Sequence, residues 1–435
     1  MKNTRNIVIW IWVVAILFLT TLTYNLLQNN DQYKYFTGLG SHISISPDDS
    51  AIAFSYFING KEAIYTSNID GTNIKRVTGT DSERHHEPKF SANGKKLLYL
   101  SKNSTGIQSI HIINRDGTDP VKLTDNKSHV EKAIFSPAGD TIYYTAIPAK
   151  DAGKMEGATQ EGLDLFSLSL KDGKQKQLTN KDHFSMNSLF ISKNGNTIFY
   201  TEFDGQYEKL RSLVLNDSVE LLHIPEQPSH DIYNAQLSAD ESKLAYTDVS
   251  PQSTGSLYEY ELFLNDLKTK KTEQLTKLKK SISSPVFFHH NNKIAFLKQM
   301  NWPADPANPA EYELNVINID NHKIKTVPLK IKHEEKNLWF IKSLDRILNN
   351  TYTITGLYVL LLGLLTVYFH KRSRKAFLPG IISISLAILT FLSSFIVSAI
   401  TNPWIGIAIG MIASALFICS IIILAFAFFF KRFAK

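Results

Sequence analysis

A short unit recurs six times along this chain of 435 residues. Each copy is an apolar run ending in Ser, a tight turn, and a second apolar and aromatic run. The copies read ISISPDDSAIAFS (Ile43 to Ser55), KFSANGKKLLYL (Lys89 to Leu100), IFSPAGDTIYYT (Ile134 to Thr145), FISKNGNTIFYT (Phe190 to Thr201), QLSADESKLAYT (Gln236 to Thr247) and FFHHNNKIAFL (Phe287 to Leu297). The last has lost the Ser and one turn residue. The anchors Ser46, Ser91, Ser136, Ser192, Ser238 and His289 lie 45, 45, 56, 46 and 51 residues apart. A period in the forties with several strands per unit is that of a propeller blade. The expected fold is an all-β, six-bladed β-propeller over residues 40–332, and such a fold is first of all a binding platform.

The remainder reads as membrane. Residues 6–27, 352–369, 377–400 and 404–430 are apolar and uncharged, each about the ~20 residues that a spanning helix needs. The basic side chains explain the rest of the layout. Lys2 and Arg5 precede the first span, Lys371, Arg372, Arg374 and Lys375 follow the second, and Lys431, Arg432 and Lys435 follow the fourth. Removing these nine from the net charge of +7 leaves the rest of the chain at −2. The high pI is therefore a topology signal and no sign of nucleic-acid binding. The positive-inside rule puts residues 1–5, the loop 370–376 and the tail 431–435 in the cytoplasm. A linker, 28–39, and the propeller then lie outside. The expectation is a multi-pass plasma-membrane protein in contact with the lipid bilayer, with both termini cytoplasmic. The first span lacks a small-x-small site after its apolar core, which favours an uncleaved anchor. The single cysteine, Cys419, lies in the fourth span, and a cysteine-free exterior domain fits a bacterial envelope protein.

Within the second repeat, His86 to Phe90, Lys96 to Ser101, Ser109 to Asn114 and Pro120 to Leu123 read as strands A to D, separated by Gly, Asn and Asp. SPDD at Ser46 to Asp49, NIDGTNIKRVT at Asn68 to Thr78 and NRDGTDPVKLT at Asn114 to Thr124 resemble the WD40-like Pro-Asp repeats of TolB-type propellers. The resemblance covers roughly residues 40–330, is best in the first three repeats and is weakest in the sixth. It implies the propeller fold and a habit of binding proteins. The extra N-terminal domain of TolB-type proteins has no counterpart in this sequence, so their partners are not carried over. Some propellers of this kind are lyases with histidines at the channel mouth, and others are fused to serine hydrolases.

Three connections are enlarged: Pro148 to Gly162, Ser250 to Ser256 and Asn301 to Tyr312. All join strands B and C, which places them on the face that also carries the D-to-A connections. His85, His86, His129, His183 and His230 fall in those D-to-A connections, which lead to the central channel. With Trp302 and Tyr312 they are the candidate ligand face. Exposed loop histidines are the plainer reading, since their offsets from the anchors differ. Gly406, Gly410 and Ser414 form a small-residue stripe suited to close helix packing. Residues 333–351 are amphipathic; an interfacial helix and the start of a tilted span both remain open.

Catalytic signatures are missing. There is no G-x-S-x-G and no H-E-x-x-H, which Arg84-His85-His86-Glu87-Pro88 matches only superficially, and no phosphate-binding loop. The spans carry no charged side chain, which argues against a transporter. No catalytic residue, metal or cofactor is expected. The expectation is a non-enzymatic scaffold or sensor for an envelope or membrane protein or an envelope polymer. The alternative is an exterior lyase or hydrolase on envelope glycans using the channel-mouth histidines, and a third class is a receptor signalling inward.

Overall fold

The computed structural model describes residues 2–28, 31–79, 83–154, 159–215, 231–253, 258–303, 308–331 and 338–433. Two compact units emerge: one of residues 32–333, and one of residues 1–31 with 334–435.

The helical unit opens with α1 (Lys2–Leu27). The β unit follows with β1 (Gly38–Ile45), β2 (Ala51–Ile58), β3 (Lys61–Asn68) and β4 (Lys75–Arg76) in one antiparallel sheet. A second sheet holds β5 (Arg84–Phe90), β6 (Lys96–Lys102), β7 (Gln108–Asn114) and β8 (Val121–Lys122). A third holds β9 (Ser128–Phe135), β10 (Thr141–Pro148), β11 (Asp164–Ser169) and β12 (Gln175–Gln177). The fourth is β13 (Asn187–Ile191), β14 (Thr197–Phe203) and β15 (Glu208–Val214). The fifth runs through β16 (Tyr233–Leu237), β17 (Lys243–Val249), β18 (Tyr260–Asp266), β19 (Lys271–Gln274), β20 (Ser281–Phe287), β21 (Lys293–Gln299), β22 (Tyr312–Asn318) and β23 (Ile324–Thr326).

The arrangement is propeller-like, with one correction to the expected six separate four-stranded blades. Hydrogen bonding gathers the described strands into five sheets. Four of these have the three or four strands of a single blade, and the fifth has eight. The fifth is double because a single parallel bridge, Tyr260 to Ser281, joins β18 to β20. The fourth stops at β15, after which residues 216–230 lie outside the described part. The first strands β1 and β5, β9 and β13, β13 and β16, β16 and β20, and β20 and β1 neighbour one another, while β9 packs against β6 and β7 of the second sheet. The apolar cores fill the spaces between successive strand groups. One packs Ala53 and Ile64 against Leu97 and Tyr99. Another packs Leu39, Ile43 and Phe54 against Val286, Phe288 and Leu297.

The recurring Ser has a definite task. Its Oγ accepts the backbone N–H five residues on and so closes the A-to-B turn: Ser46 from Ala51 (2.9 Å), Ser91 from Lys96 (3.0 Å), Ser136 from Thr141 (3.1 Å), Ser192 from Thr197 (2.9 Å) and Ser238 from Lys243 (3.0 Å). It also donates to a nearby Asp or Asn, such as Asp48, Asn93, Asn194 or Asp240, a local pairing typical of such turns. Three residues after the anchor, the backbone is left-handed, and Gly94, Gly139 and Gly195 supply it. Asp49 and Glu241 hold the same conformation and put their side chains to use. Glu241 accepts the N–H of Lys193 in the preceding repeat at 2.6 Å. Asp49 accepts the N–H groups of His289 (2.7 Å) and His290 (2.9 Å) and the Asn291 amide (2.8 Å), joining the first repeat to the last. The true anchor of the sixth repeat is Phe288, whose N–H bonds to Lys293 O as Ser46 N–H bonds to Ala51 O. His289, the expected anchor, lies one residue too far because the shortened turn shifts the apparent alignment. The Val-Thr and Leu-Thr endings are explained likewise. Thr78, Thr124, Thr179 and Thr276 each accept, through Oγ1, the buried N–H 14 residues earlier at 2.9–3.0 Å.

The helical unit continues with α2 (Trp339–Leu348), α3 (Thr351–Ser373), α4 (Leu378–Ile400) and α5 (Pro403–Phe433). Four helices, α1, α3, α4 and α5, are long and apolar enough to cross a membrane, as in a multi-pass membrane protein. Helix α3 runs four residues past the expected end at 369 and stops at Arg374, which caps it with φ of 62°. Gly406 lies hard against α4: a Cβ there would meet Ser398 Cβ at 2.5 Å and Ser394 O at 2.7 Å. Gly410 is looser, with Ser394 Oγ at 3.8 Å, and Ser414 is exposed, bonding Gly410 O of its own helix. Tyr358 of α3, Ser383 of α4 and Ser420 of α5 form a hydroxyl chain with steps of 2.9 and 2.6 Å.

Candidate functional site

The first strand of each repeat is interrupted by a bulge four residues before its anchor. In β5, β13, β16 and β20 the register slips by one residue there. Glu87, Ser188, Asn234 and Ser284 take positive φ at that point. β1 slips by two residues between Leu39 and Ile43, a span that includes His42, and β9 slips by one between Val130 and Lys132. A bulge breaks the alternation of a strand and re-aims one side chain. The six residues at this position are His42, Glu87, Lys132, Ser188, Asn234 and Ser284. All six line one cavity of about 480 Å³ bounded by the first strands.

The ring is chemically lopsided. Ser188, Asn234 and Ser284 are small and neutral, and each is tied to the wall. Ser188 Oγ accepts the N–H of Ala235 at 3.0 Å, Asn234 Nδ2 donates to Thr247 Oγ1 at 2.9 Å, and Ser284 Oγ donates to Ser41 O at 2.6 Å. The opposite half is ionic. Glu87 is buried, with His42 Nε2 2.7 Å from its Oε1 and Lys132 Nζ bonded to the same oxygen. Burial alone would raise the Glu87 carboxyl, but His42 and Lys132 overcome it and hold the group well below the carboxylate range. Burial pulls His42 below its usual value against the opposing pull of Glu87, and its Nδ1 lies 2.9 Å from Ser41 Oγ. Lys132 is desolvated too, but Glu87 keeps its ammonium charged and raises its pKa. Lys89, two residues along β5, lines the same cavity, and burial with Lys132 nearby lowers it.

A second cavity of about 250 Å³ shares His42, Glu87 and Lys132 and adds Glu62, Arg84, His86, Lys102, Glu131 and Tyr312. Gly40 shapes it. A Cβ at Gly40 would lie 2.0 Å from Ser55 Oγ and 2.9 Å from Glu62 Oε1. Burial pushes Glu62 up to about 7, against the opposing pull of Ser55, Arg84 and Lys102. Burial drives His86 down to about 4. Arg84 lies over the rings of Tyr33 and Phe57 at 5.4 and 5.6 Å. The two cavities thus hold four cationic side chains, Lys89, Lys132, Arg84 and Lys102, against the carboxylates Glu87 and Glu131 and a Glu62 that titrates near neutral pH, an arrangement suited to a polar ligand bearing negative charge.

The expected histidines do not converge. His86 lines the second cavity, but His85 packs edge-on against Tyr99 of its own sheet, centroids 5.0 Å apart, and lines neither cavity. His129 Nδ1 accepts the N–H of Gln108 at 3.3 Å, and Nε2 lies 3.3 Å from Glu131. His183 is buried, with Nδ1 2.6 Å from Glu202, and no partner is found for its Nε2. His230 lies outside the described residues. Trp302 stacks edge-on against Tyr260 at 6.2 Å, while Tyr312 lines the second cavity. Among the described residues no three His, Cys, Asp or Glu side chains converge in a way that could hold a metal ion. Reading the sequence for histidines missed His42, Glu62, Lys89 and Lys132. For His42 and Lys132 the signal was present four residues before each anchor, but histidine alone does not mark it, and Glu62 and Lys89 lie off that spacing.

No family model matches this chain. A relative in Bacillus subtilis (strain 168), the uncharacterized peptidase YuxL, is 28% identical over 142 residues, which is 30% of this chain and 21% of that protein. Similar solved structures include TolB from Acinetobacter baumannii, with a TM-score of 0.49 at 17% identity over 65% of this chain and 64% of that one. They also include an oligogalacturonate lyase in complex with manganese, with a TM-score of 0.48 at 11% identity over 66% of this chain and 77% of that one. The expectation that the chain is not an enzyme is corrected here. A related sequence, matched over 30% of this chain, is named a peptidase.

Proposed function

We propose that this chain is a membrane-anchored, six-bladed propeller that binds an envelope protein or polymer through its channel mouth, as a scaffold or sensor. The six-fold count is supported by the cyclic order in which the strand groups neighbour one another and by the single bridge at which the eight-stranded sheet divides. The observation that carries the binding reading is the ring four residues before each anchor, charged on one side and neutral on the other. We place the propeller outside the plasma membrane with both termini in the cytoplasm, on the strength of the three basic clusters. Single cysteines at Asn126, Ser373 and Lys435 in a Cys419→Ser background test the topology. An impermeant thiol reagent on intact cells is expected to label position 126 alone, and labelling at 373 would overturn it. For the binding reading, a photo-crosslinker at Tyr312 should capture one partner in intact cells. Lys132→Ala should reduce that capture at least tenfold, while Thr118→Ser, in an exposed turn that lines neither cavity, leaves it unchanged. Equal capture by both variants refutes the reading.

A second reading, an exterior lyase or hydrolase acting on envelope glycans, is favoured by one observation. Glu62 is a buried carboxyl held near 7 in a cavity it shares with His86, Arg84 and Lys102. A proton donor or acceptor poised near neutral pH beside cations is what acid–base work on an anionic substrate requires. Purified protein should then degrade anionic glycans, and Glu62→Gln should abolish turnover with substrate binding retained. Turnover that survives Glu62→Gln discards this role.

A further inference from the structure

We propose that α2 is a membrane-surface element that lies in the bilayer interface with its apolar face in lipid. Helix α2 is separate from the span that follows: Asn349 and Asn350 interrupt the chain, and the Asn350 side chain accepts the N–H of Tyr352 to start α3 anew. At about 100° per residue, Phe340, Ile341, Leu344, Ile347 and Leu348 fall within an arc of about 120°. Lys342 and Arg346 project from the side directly opposite. Among the described residues nothing in the helical unit covers the apolar arc: Phe340, Ile341, Leu344 and Ile347 are 45–67% exposed, and no residue of α2 is buried.

Lipid is the occupant because of where α2 is fastened. Its C-terminal end leads within three residues into α3, a helix long and apolar enough to cross a membrane. Its polar side is tied to the end of another such helix. Tyr24 of α1 donates to Asp345 at 2.5 Å, and Asn25 Nδ2 donates to Asn349 Oδ1 at 2.8 Å. These bonds hold α2 at the level where α1 ends and α3 begins, which is the membrane boundary. There a helix of about 15 Å can place apolar side chains among acyl chains while its two cations reach lipid phosphates.

The test uses the full chain with Cys419→Ser, reconstituted in vesicles of phosphatidylcholine and phosphatidylglycerol. Spin labels go on single cysteines at Phe340, Leu344 and Ile347, at Lys342 and Arg346, and at Leu360 within α3 as the reference for a lipid-facing span. Collision with oxygen reports lipid, and collision with a water-soluble nickel chelate reports solvent. The oxygen-to-nickel ratio is expected to be at least fivefold higher at 340, 344 and 347 than at 342 and 346. Shielding from both reagents at 340, 344 and 347 would mean a protein partner, such as a second copy of this chain, and overturns the proposal. High nickel access there would mean water and also overturns it. The proposal rests on α1 and α3 crossing the bilayer, and position 360 keeps the two apart. If 360 is lipid-exposed while α2 is not, the span reading stands and the role of α2 fails. Three positions on the apolar arc keep the comparison decisive if one label disturbs the fold.

Discussion

Asp49 joins the first repeat to the last, and its removal should open the ring at one place. The carboxylate accepts two backbone N–H groups and one amide N–H, at 2.7–2.9 Å. A hydrogen bond to a charged acceptor contributes about 1.5–3 kcal/mol. The donors on His289 and His290 are exposed, so water replaces much of what is lost, and the net cost of removing the carboxylate is ~2 kcal/mol. Backbone conformation adds a separate term. Asp49 stands at φ of 55°, where a Cβ costs about 1 kcal/mol and glycine nothing. Asp49→Ala loses the bonds and keeps the strain. Asp49→Gly loses the bonds but relieves the strain, and Asp49→Asn retains one acceptor oxygen. The expected order of destabilisation is therefore Ala, then Gly, then Asn. Amide hydrogen exchange on the full chain reads this locally. For Asp49→Ala, exchange in β1 and β20 should quicken about 30-fold, the equivalent of ~2 kcal/mol, while β9 to β12 keep their protection. The carboxyl is held below its ordinary value by the His289 and His290 N–H groups, which outweigh burial. Its contribution is thus present above the unfolded pKa of about 4 and is lost as pH falls through the lower folded value. Uniform acceleration across all sheets, or a glycine variant less stable than the alanine one, would refute the reasoning.

Three more outcomes follow from the geometry. Gly40→Ala should cost more than ~2 kcal/mol or displace Glu62, since the added Cβ overlaps Ser55 Oγ; an unchanged melting temperature would show that the wall yields. Thr124→Val removes the acceptor of the buried Ile110 N–H and should cost about 1–3 kcal/mol in a chemical melt, whereas Thr118→Val, at an exposed turn, should cost well under half of that. Burial raises the folded pKa of Glu62 to about 7, so the folded state holds its proton more tightly than the unfolded one. Stability should fall as pH rises from about 4.5 to about 7, and Glu62→Gln should flatten that slope in melts across the range. An unaltered slope would mean that Glu62 is ionised throughout.

The repeat was legible because it is enforced by local bonding. Ser91 closes its turn through Lys96 N–H, Gly94 supplies a left-handed residue, and Thr124 caps a strand, so each is visible as a residue type at a fixed spacing. The sixth repeat misled by one position because Phe288 replaces the Ser and Asp49, from the far end of the chain, supplies the missing cap. No local pattern could announce a partner more than 200 residues away. The site was legible only in part. His86 and Tyr312, named from the sequence, line the second cavity, but His42, Glu87 and Lys132 share no side-chain chemistry, and only their place before the anchor makes them equivalent. His85 and His86 are adjacent in sequence, yet alternation along the strand separates them, and only His86 lines the cavity.

Alike units repeated around a propeller-like domain would present a visitor with several interchangeable ways to sit. The residues four before each anchor remove that degeneracy. With His42, Glu87 and Lys132 on one arc and Ser188, Asn234 and Ser284 on the other, the channel has a front and a back. Under the binding reading proposed above, a charged ligand entering it would have one favoured rotational setting. A single variable position per repeat can therefore write an address on the rim while the Ser, Gly and Thr positions go on building the same wheel.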